Sequence, residues 1–539
     1  MRRSVMINIV ACLCVAGTIM VFGGCDMAVK QPEMTEDSAG EAVRDEEENK
    51  EGQVAEQDYR VSYEGIECKN ISSPGVAVHD PSIFKDGGYY YIFGSHMSAA
   101  KSSDLKNWEM IADNYMKTNP VYGQIYEVAD EAFAYSGDKN SLIKTDDKGT
   151  HVWAPDVIYN KEMKKYCMYY CTTSTWNASN LCFGTADSVE GPYTWQKPLI
   201  YSGFNYGSID ATDVLKYVDK DYAVKHYIKN GAYNFEDYPN AIDPALFYDE
   251  DDRLWMVYGS WSGGIFLLEI DKATGDVIHP EADEANGVDA YYGKRLLGGG
   301  HISIEGPYIL YDRDSDFYYL FVSYGELTSN GGYQIRVFRS DKPDGKYVDM
   351  NGTYPQKSAE HSAYGLKLSG NYKLPGLDKA YMATGHNSAM IDEDGKRYIA
   401  YHTRFNDKGE GHSPRVHQFF VNEEGWPCEL PYQTSGETIS EEGYDRGTVT
   451  GRYFVTNQGT DISNYIVNPV ILYLNEDGTV TGRESSGTWS MKDGTPYMSV
   501  TVDDVKYSGV FCAMKDEADT DVMTFSAVGA NTTVWGVKY

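Results

Sequence analysis

Residues 240–271, NAIDPALFYDEDDRLWMVYGSWSGGIFLLEID, decide how the rest of the chain is read. An acid precedes a proline at Asp243-Pro244, and a short apolar run follows at 245–248. An acidic turn at 249–252 leads to a second run at 254–258. A Gly-Ser-Trp-Ser-Gly-Gly corner then leads to a third at 265–270. Runs this short, rich in aromatic and β-branched residues and punctuated by turn formers, predict three antiparallel strands.

The same pattern recurs along the chain. His79-Asp80-Pro81 leads into Tyr89-Tyr90-Tyr91, and Ala154-Pro155-Asp156 into Tyr166-Cys167-Met168. Ile304-Glu305-Gly306-Pro307 leads into Phe317-Tyr318-Tyr319, and His386-Asn387-Ser388 into Arg397-Tyr398. Pro81, Pro155, Pro244, Pro307 and Ser388 are read as equivalent, 74, 89, 63 and 81 residues apart, each followed by an aromatic residue after 10 or 11 positions. Self-similarity signals a repeat architecture. Spacing this uneven excludes a solenoid and suits radially arranged sheets with loops of varying length. The expectation is an all-β chain: a five-bladed β-propeller over 61–435 and a small β-barrel or sandwich over 440–539. In the latter the five-fold pattern stops, and Asp477-Gly478 and Asp493-Gly494 mark hairpins.

A formal charge of −33 over 539 residues argues against nucleic acid or an anionic membrane surface as partner. Arg2 and Arg3 precede an apolar run at 5–22, so residues 1–24 read as a bacterial signal peptide. Small residues before Cys25 resemble a lipoprotein signal, which predicts an exported protein lipid-anchored at Cys25, or a plainly secreted one. Residues 26–58 hold 12 acids, 3 bases and no aromatic residue, so 25–60 reads as a solvated tether. Cys167 and Cys171 share one strand and read as small buried apolar groups rather than a metal pair. No His/Cys cluster has zinc spacing.

In a propeller the first strand of each blade lines the central channel. Asp80, Asp156, Asp243, Glu305 and His386 open these strands and should converge at one mouth. Crowded carboxyls repel, so at least one holds its proton to unusually high pH while another stays ionised. Glycoside hydrolysis requires such a pair. An Asp before Pro also caps turns, but the recurrence of Asp80, Asp243 and Glu305 at matching places favours chemistry. Asp156 follows its proline, is out of phase with the others, and reads as structural or as a support one layer out from the reacting groups.

Together, His79-Asp80-Pro81-Ser82, Trp153-Ala154-Pro155-Asp156, Asn240-Ala241-Ile242-Asp243-Pro244, Tyr258-Gly259-Ser260-Trp261, Ile304-Glu305-Gly306-Pro307-Tyr308 and Gly385-His386-Asn387-Ser388 resemble glycoside hydrolase family 43 over residues 61–432. Within that family they are most similar to the endo-α-1,5-L-arabinanases of the two-domain type. The resemblance implies inverting hydrolysis of internal bonds in arabinan. Asp80 is then the general base, Glu305 the general acid and Asp243 the residue that orients Glu305, with the base and acid roughly 6.5–9.5 Å apart. It also implies substrate contacts from Asp80, Trp153, Asn177, Asn240, Ala241, Ile242, Asp243, Ser260, Trp261 and Ser262. His386 would face one calcium ion held mostly by waters. The expected protein is a monomer whose partner is arabinan or an arabino-oligosaccharide. Two alternatives stand beside this reading: an exo-acting α-L-arabinofuranosidase or β-xylosidase, and a surface glycan-binding protein without catalysis.

Overall fold

The computed structural model describes residues 57–71, 75–113, 118–123, 125, 134–136, 151–173, 178–355, 363–407 and 409–539. The expected signal segment, the lipid site at Cys25, most of the tether and Asn177 lie outside them. The three runs that opened the sequence reading are strands Ala245–Tyr248, Leu254–Tyr258 and Ile265–Ile270, paired antiparallel with Ala245 opposite Val257 and Leu254 opposite Ile270. Asp249 fixes the first turn. Its Oδ1 accepts the Asp251 and Arg253 amides at 3.1 and 2.7 Å, and its Oδ2 accepts Trp255 Nε1 at 2.8 Å.

These strands are apolar on both sides because each sheet is covered on both faces. Ile83, Ile92 and Ala100 share a core with Tyr398, Ala400 and Val416. On their other side, Tyr91 and Phe93 pack with Met168 and Tyr170. The next cores join Tyr169 and Phe183 to Leu246 and Met256, and Phe247 and Val257 to Ile309 and Leu320. Phe321 and Ile335 then meet Ile399 and Phe419, which leads back to the first core. This is a propeller-like ring. First and last sheets meet through side chains: Ser388 Oγ donates to Pro81 O at 2.7 Å and accepts the Ile83 amide at 3.0 Å. Lys85 and Tyr90 both bond Asp392.

The expectation of five separate blades needs correction. Three four-stranded sheets (Ser82–Asp86 to Glu109–Ala112, Val152–Asn160 to Thr194–Tyr201, Tyr381–Ile391 to Pro427–Gln433) and one six-stranded sheet around Ala245–Tyr248 stand as separate sheets. Strands Ile304–Asp312, Phe317–Tyr324, Gln334–Ser340 and Leu366–Ser369 instead begin a twelve-stranded sheet that continues into the C-terminal domain. The join is a single parallel pairing of Lys367 with Thr532, with the Lys367 amide on Asn531 O at 3.0 Å.

The C-terminal domain is a closed eight-stranded barrel from Gly451–Asn457 to Thr532–Lys538. Its first and last strands pair, Phe454 opposite Val537, around a core that includes Tyr453, Trp489, Phe511 and Phe525. The six cysteines among the described residues, Cys68, Cys167, Cys171, Cys182, Cys428 and Cys512, are all unbridged; all but Cys68 are buried.

Candidate active site

Each innermost strand enters the channel through one residue in left-handed conformation. Asp80, Ala154, Asp243, Gly306 and His386 have φ of 54°, 42°, 55°, 57° and 47°. They head the trios Asp80-Pro81-Ser82, Ala154-Pro155-Asp156, Asp243-Pro244-Ala245, Gly306-Pro307-Tyr308 and His386-Asn387-Ser388, which line one narrow channel. The prolines therefore correspond to Asn387, one residue before the Ser388 expected from sequence. Non-glycine residues rarely take positive φ, and such strain persists where surrounding structure enforces it. Here it turns Asp80, Asp243 and His386 toward the axis at one level. Glu305 comes from the residue before its turn.

Asp80 is buried among imidazoles. Its Oδ1 lies 2.8 Å from His79 Nδ1, 3.1 Å from His386 Nδ1 and 3.6 Å from His402 Nδ1. Its Oδ2 accepts Ser95 Oγ, which also takes the Ala154 amide at 2.8 Å. Burial alone pushes this carboxyl up, but the charges of His386, His79 and His402 outweigh it and hold Asp80 well below the usual carboxylate range. Asp243 goes the other way. Burial, with the charges of Glu305 and Asp80, lifts it to about 7 against the opposing pull of His386 and of the Gly306 amide, which lies 3.2 Å from Oδ2. For His386, burial lowers the pKa, but Asp80, Asp243 and Glu305 together raise it above the ordinary value.

Glu305 is gripped by three donors. Trp261 Nε1 and Ser260 Oγ reach Oε2 at 2.8 and 3.2 Å, and Tyr333 Oη reaches Oε1 at 2.6 Å. Both oxygens are held, so the plane of the carboxyl is fixed.

Other expected residues fall elsewhere. Asp156 lies further along the channel, bonded by Ser82 Oγ and by the Leu246 amide at 2.6 Å, and burial lifts its pKa to about 7. Ser260 and Trp261, expected at the sugar, bond Glu305. Ser262 is buried, with Oγ 3.5 Å from His301 Nδ1. Ala241 and Ile242 are core residues packed beside Tyr258 and Tyr233, so the structure does not bring their side chains to the open mouth. Asn240 Oδ1 accepts Ser202 Oγ at 3.2 Å. Trp153 is half-buried against the same core, stacked on His151 at 6.1 Å.

Ser95, His79, His402 and Tyr333 were missed. Ser95 had a signal: Gly94-Ser95 and Gly259-Ser260 are the same dipeptide after the second strand, and Val322-Ser323 follows suit, with Ser323 Oγ accepting the His386 amide at 2.7 Å.

His79, Asp80 and His402 are the one cluster of metal-ligating type among the described residues, with donor atoms within 4.8 Å of one another. His386 is outside that cluster but touches the same Asp80 oxygen. Two imidazoles and one carboxylate do not form an oxygen cage, so calcium here fits only with water supplying most of its ligands. The demand for positive charge among Asp80, Asp243 and Glu305 is real, and either an imidazolium at His386 or a cation meets it.

Asp80 held ionised and Asp243 lifted toward neutrality, together at one channel mouth, are the kind of unlike carboxyl pair that glycosidases use. Fold and site thus define a propeller glycoside hydrolase. The chain belongs to glycosyl hydrolases family 43, which it matches over residues 74–237 and 226–427; residues 431–536 match the C-terminal lipocalin-like domain found with it. It is 37% identical over 481 residues to extracellular endo-alpha-(1->5)-L-arabinanase 2 of Bacillus subtilis, covering 86% of this chain and 93% of the relative. The crystal structure of endo-1,5-alpha-L-arabinanase from Thermotoga petrophila RKU-1 superposes with TM-score 0.75 at 35% identity, covering 88% of this chain and all of that one. An extracellular exo-alpha-(1->5)-L-arabinofuranosidase of Cellvibrio japonicus is more distant: 27% identical over 65% of this chain and 86% of its own.

Proposed function

We propose that this chain is an endo-acting arabinanase that hydrolyses internal α-1,5-L-arabinofuranosidic bonds with inversion. The similarity to two-domain endo-arabinanases over nearly their whole length carries this reading, set against the weaker and shorter similarity to the exo enzyme. Asp80, ionised, draws the proton from the attacking water. Glu305 gives its proton to the departing glycosidic oxygen. Asp243, whose Oδ2 accepts the Gly306 amide at 3.2 Å, orients the turn that carries Glu305. Incubation with debranched arabinan is expected to release a ladder of arabino-oligosaccharides from the first minutes. Arabinose as the sole early product would replace this reading with an exo enzyme, and no product at all with a glycan-binding protein.

The proposal extends to architecture and setting. The matching left-handed turns support counting residues 304–369 as the fourth of five blades, with the propeller spanning 61–435 and the barrel 440–539. The Bacillus subtilis and Cellvibrio japonicus relatives named above are both extracellular enzymes. Export is proposed here too, with Cys25 as the lipid site; recovery of a Cys25→Ala variant in the same membrane fraction as the parent would remove the anchor.

One divalent cation, calcium in this reading, is proposed near His386, where Asp80, His79 and His402 supply the nearest donors. When bound it supplies positive charge that steadies the carboxylates. Exhaustive chelation should lower both turnover and melting temperature, with calcium restoring both. Unchanged values after chelation would remove the metal from this reading and leave the positive charge of the site to its imidazoles.

A further inference from the structure

We infer that Tyr333 is a positioning residue for the proton donor Glu305, and that the C-terminal barrel holds Tyr333 in place. This rests on Glu305 being the acid, as proposed above.

Tyr333 ends the loop after strand Phe317–Tyr324 and is fully buried. Its ring is parallel to that of His402, centroids 5.9 Å apart, and lies so close to Gly385 that a Cβ there would come within 2.3 Å of it. The ring therefore cannot swing away, and its hydroxyl stays 2.6 Å from Glu305 Oε1. Trp261 and Ser260 already hold Oε2. Without Tyr333 the carboxyl could rotate about that grip, and proton delivery depends on its plane.

The loop that delivers Tyr333 leans on the barrel. A Cβ on Gly332 would meet the Ser463 backbone at 2.9 Å, in the connector 458–469 between the first two barrel strands. Gln334 Nε2 donates to Gly332 O and to Asp461 O, both at 3.0 Å, and so ties the catalytic loop to that connector. The buried Arg336 orients Gln334 through Nε and Nη2 on Oε1 at 3.0 and 2.8 Å, and its Nη2 also reaches Thr460 O. Lys367 Nζ adds a bond to Asp461 O at 3.1 Å. Gln334, Arg336 and Lys367 are all buried, where such bonds are strong and a missing partner is costly. The network is therefore stiff, and its other end is one residue from the acid's partner.

The test uses the full chain and two aryl α-1,5-arabinotriosides that differ only in leaving group, dinitrophenol against a simple alkyl-substituted phenol. A good leaving group departs without a proton, so faults in the acid show only with the poor one. For Tyr333→Phe, kcat on the poor leaving group is expected to fall by about tenfold or more, with KM little changed and under about threefold loss on the good one. Gln334→Leu, which cuts the tie to the barrel, should show the same selectivity at smaller size. Equal losses on both substrates for Tyr333→Phe would overturn the positioning role. Equal losses for Gln334→Leu alone would overturn the barrel's part. Glu305→Gln is the control: if it shows no leaving-group selectivity, Glu305 is not the acid and the inference falls with that reading rather than by itself.

Discussion

Asp80→Asn should reduce kcat on arabinan by about 10²–10⁴-fold while the protein stays folded. Asparagine keeps the size and one acceptor oxygen for Ser95 Oγ, but its amide cannot accept a proton from water. The substitution is chosen for the backbone as well. Asp80 has φ of 54°, a conformation that asparagine adopts readily and alanine adopts at a cost of roughly 1–2 kcal/mol. Asp80→Ala would therefore mix a folding defect with the chemical one, whereas an unchanged melting temperature is attainable with asparagine. A variant with parental kcat would remove Asp80 from the mechanism.

The second large effect is on stability, and it depends on pH. Burial holds Asp156 protonated up to about 7, against a value of 3.8 for the exposed group. Between those values the folded chain keeps a proton that the unfolded chain releases, so this residue costs more stability as pH rises through that window, and the full cost is present above about pH 7. Asp156→Asn removes it. The amide oxygen can still accept the Leu246 amide, and the amide nitrogen can donate to Ser82 Oγ. The variant is expected to exceed the parent by on the order of 2–4 kcal/mol at pH 8, with the difference closing toward pH 4. Denaturant midpoints measured across that range check it. A gap that does not vary with pH would mean that Asp156 is ionised in the folded protein.

The fold was legible because each sheet opens with the same few residues. Proline after a left-handed acid is a rare pattern, and its recurrence at 80, 243 and, shifted by one, 305 marks where backbones must bend toward the axis. Where Asn387 stands in for proline, the pattern gives no ruler, and the register was off by one. The merger of residues 304–369 with the barrel was not readable at all, since it hangs on Lys367 and Thr532, which are distant in sequence and carry no shared motif. The carboxyls of the site could be found for the same reason as the blades. Their partners could be found only where they also repeat, as Ser95 and Ser260 do. Tyr333 and His402 reach the site from positions without a repeated signature. The side chains of Ala241 and Ile242, named with the expected sugar contacts, instead fill a core, which a short apolar stretch does not reveal in advance.

The pairing of Lys367 with Thr532 also has a colloidal consequence. An outermost strand normally offers bare amides and carbonyls to any passing chain, and proteins guard against such sticking with charge, kinks or covers. Strand Leu366–Ser369 is buried along its whole length, and the barrel, a closed cylinder with no rim of its own, lies along its free side. Trimming the chain at the end of the propeller would uncover an adhesive border as well as loosen a catalytic loop, so clumping of a shortened form would not by itself report on catalysis.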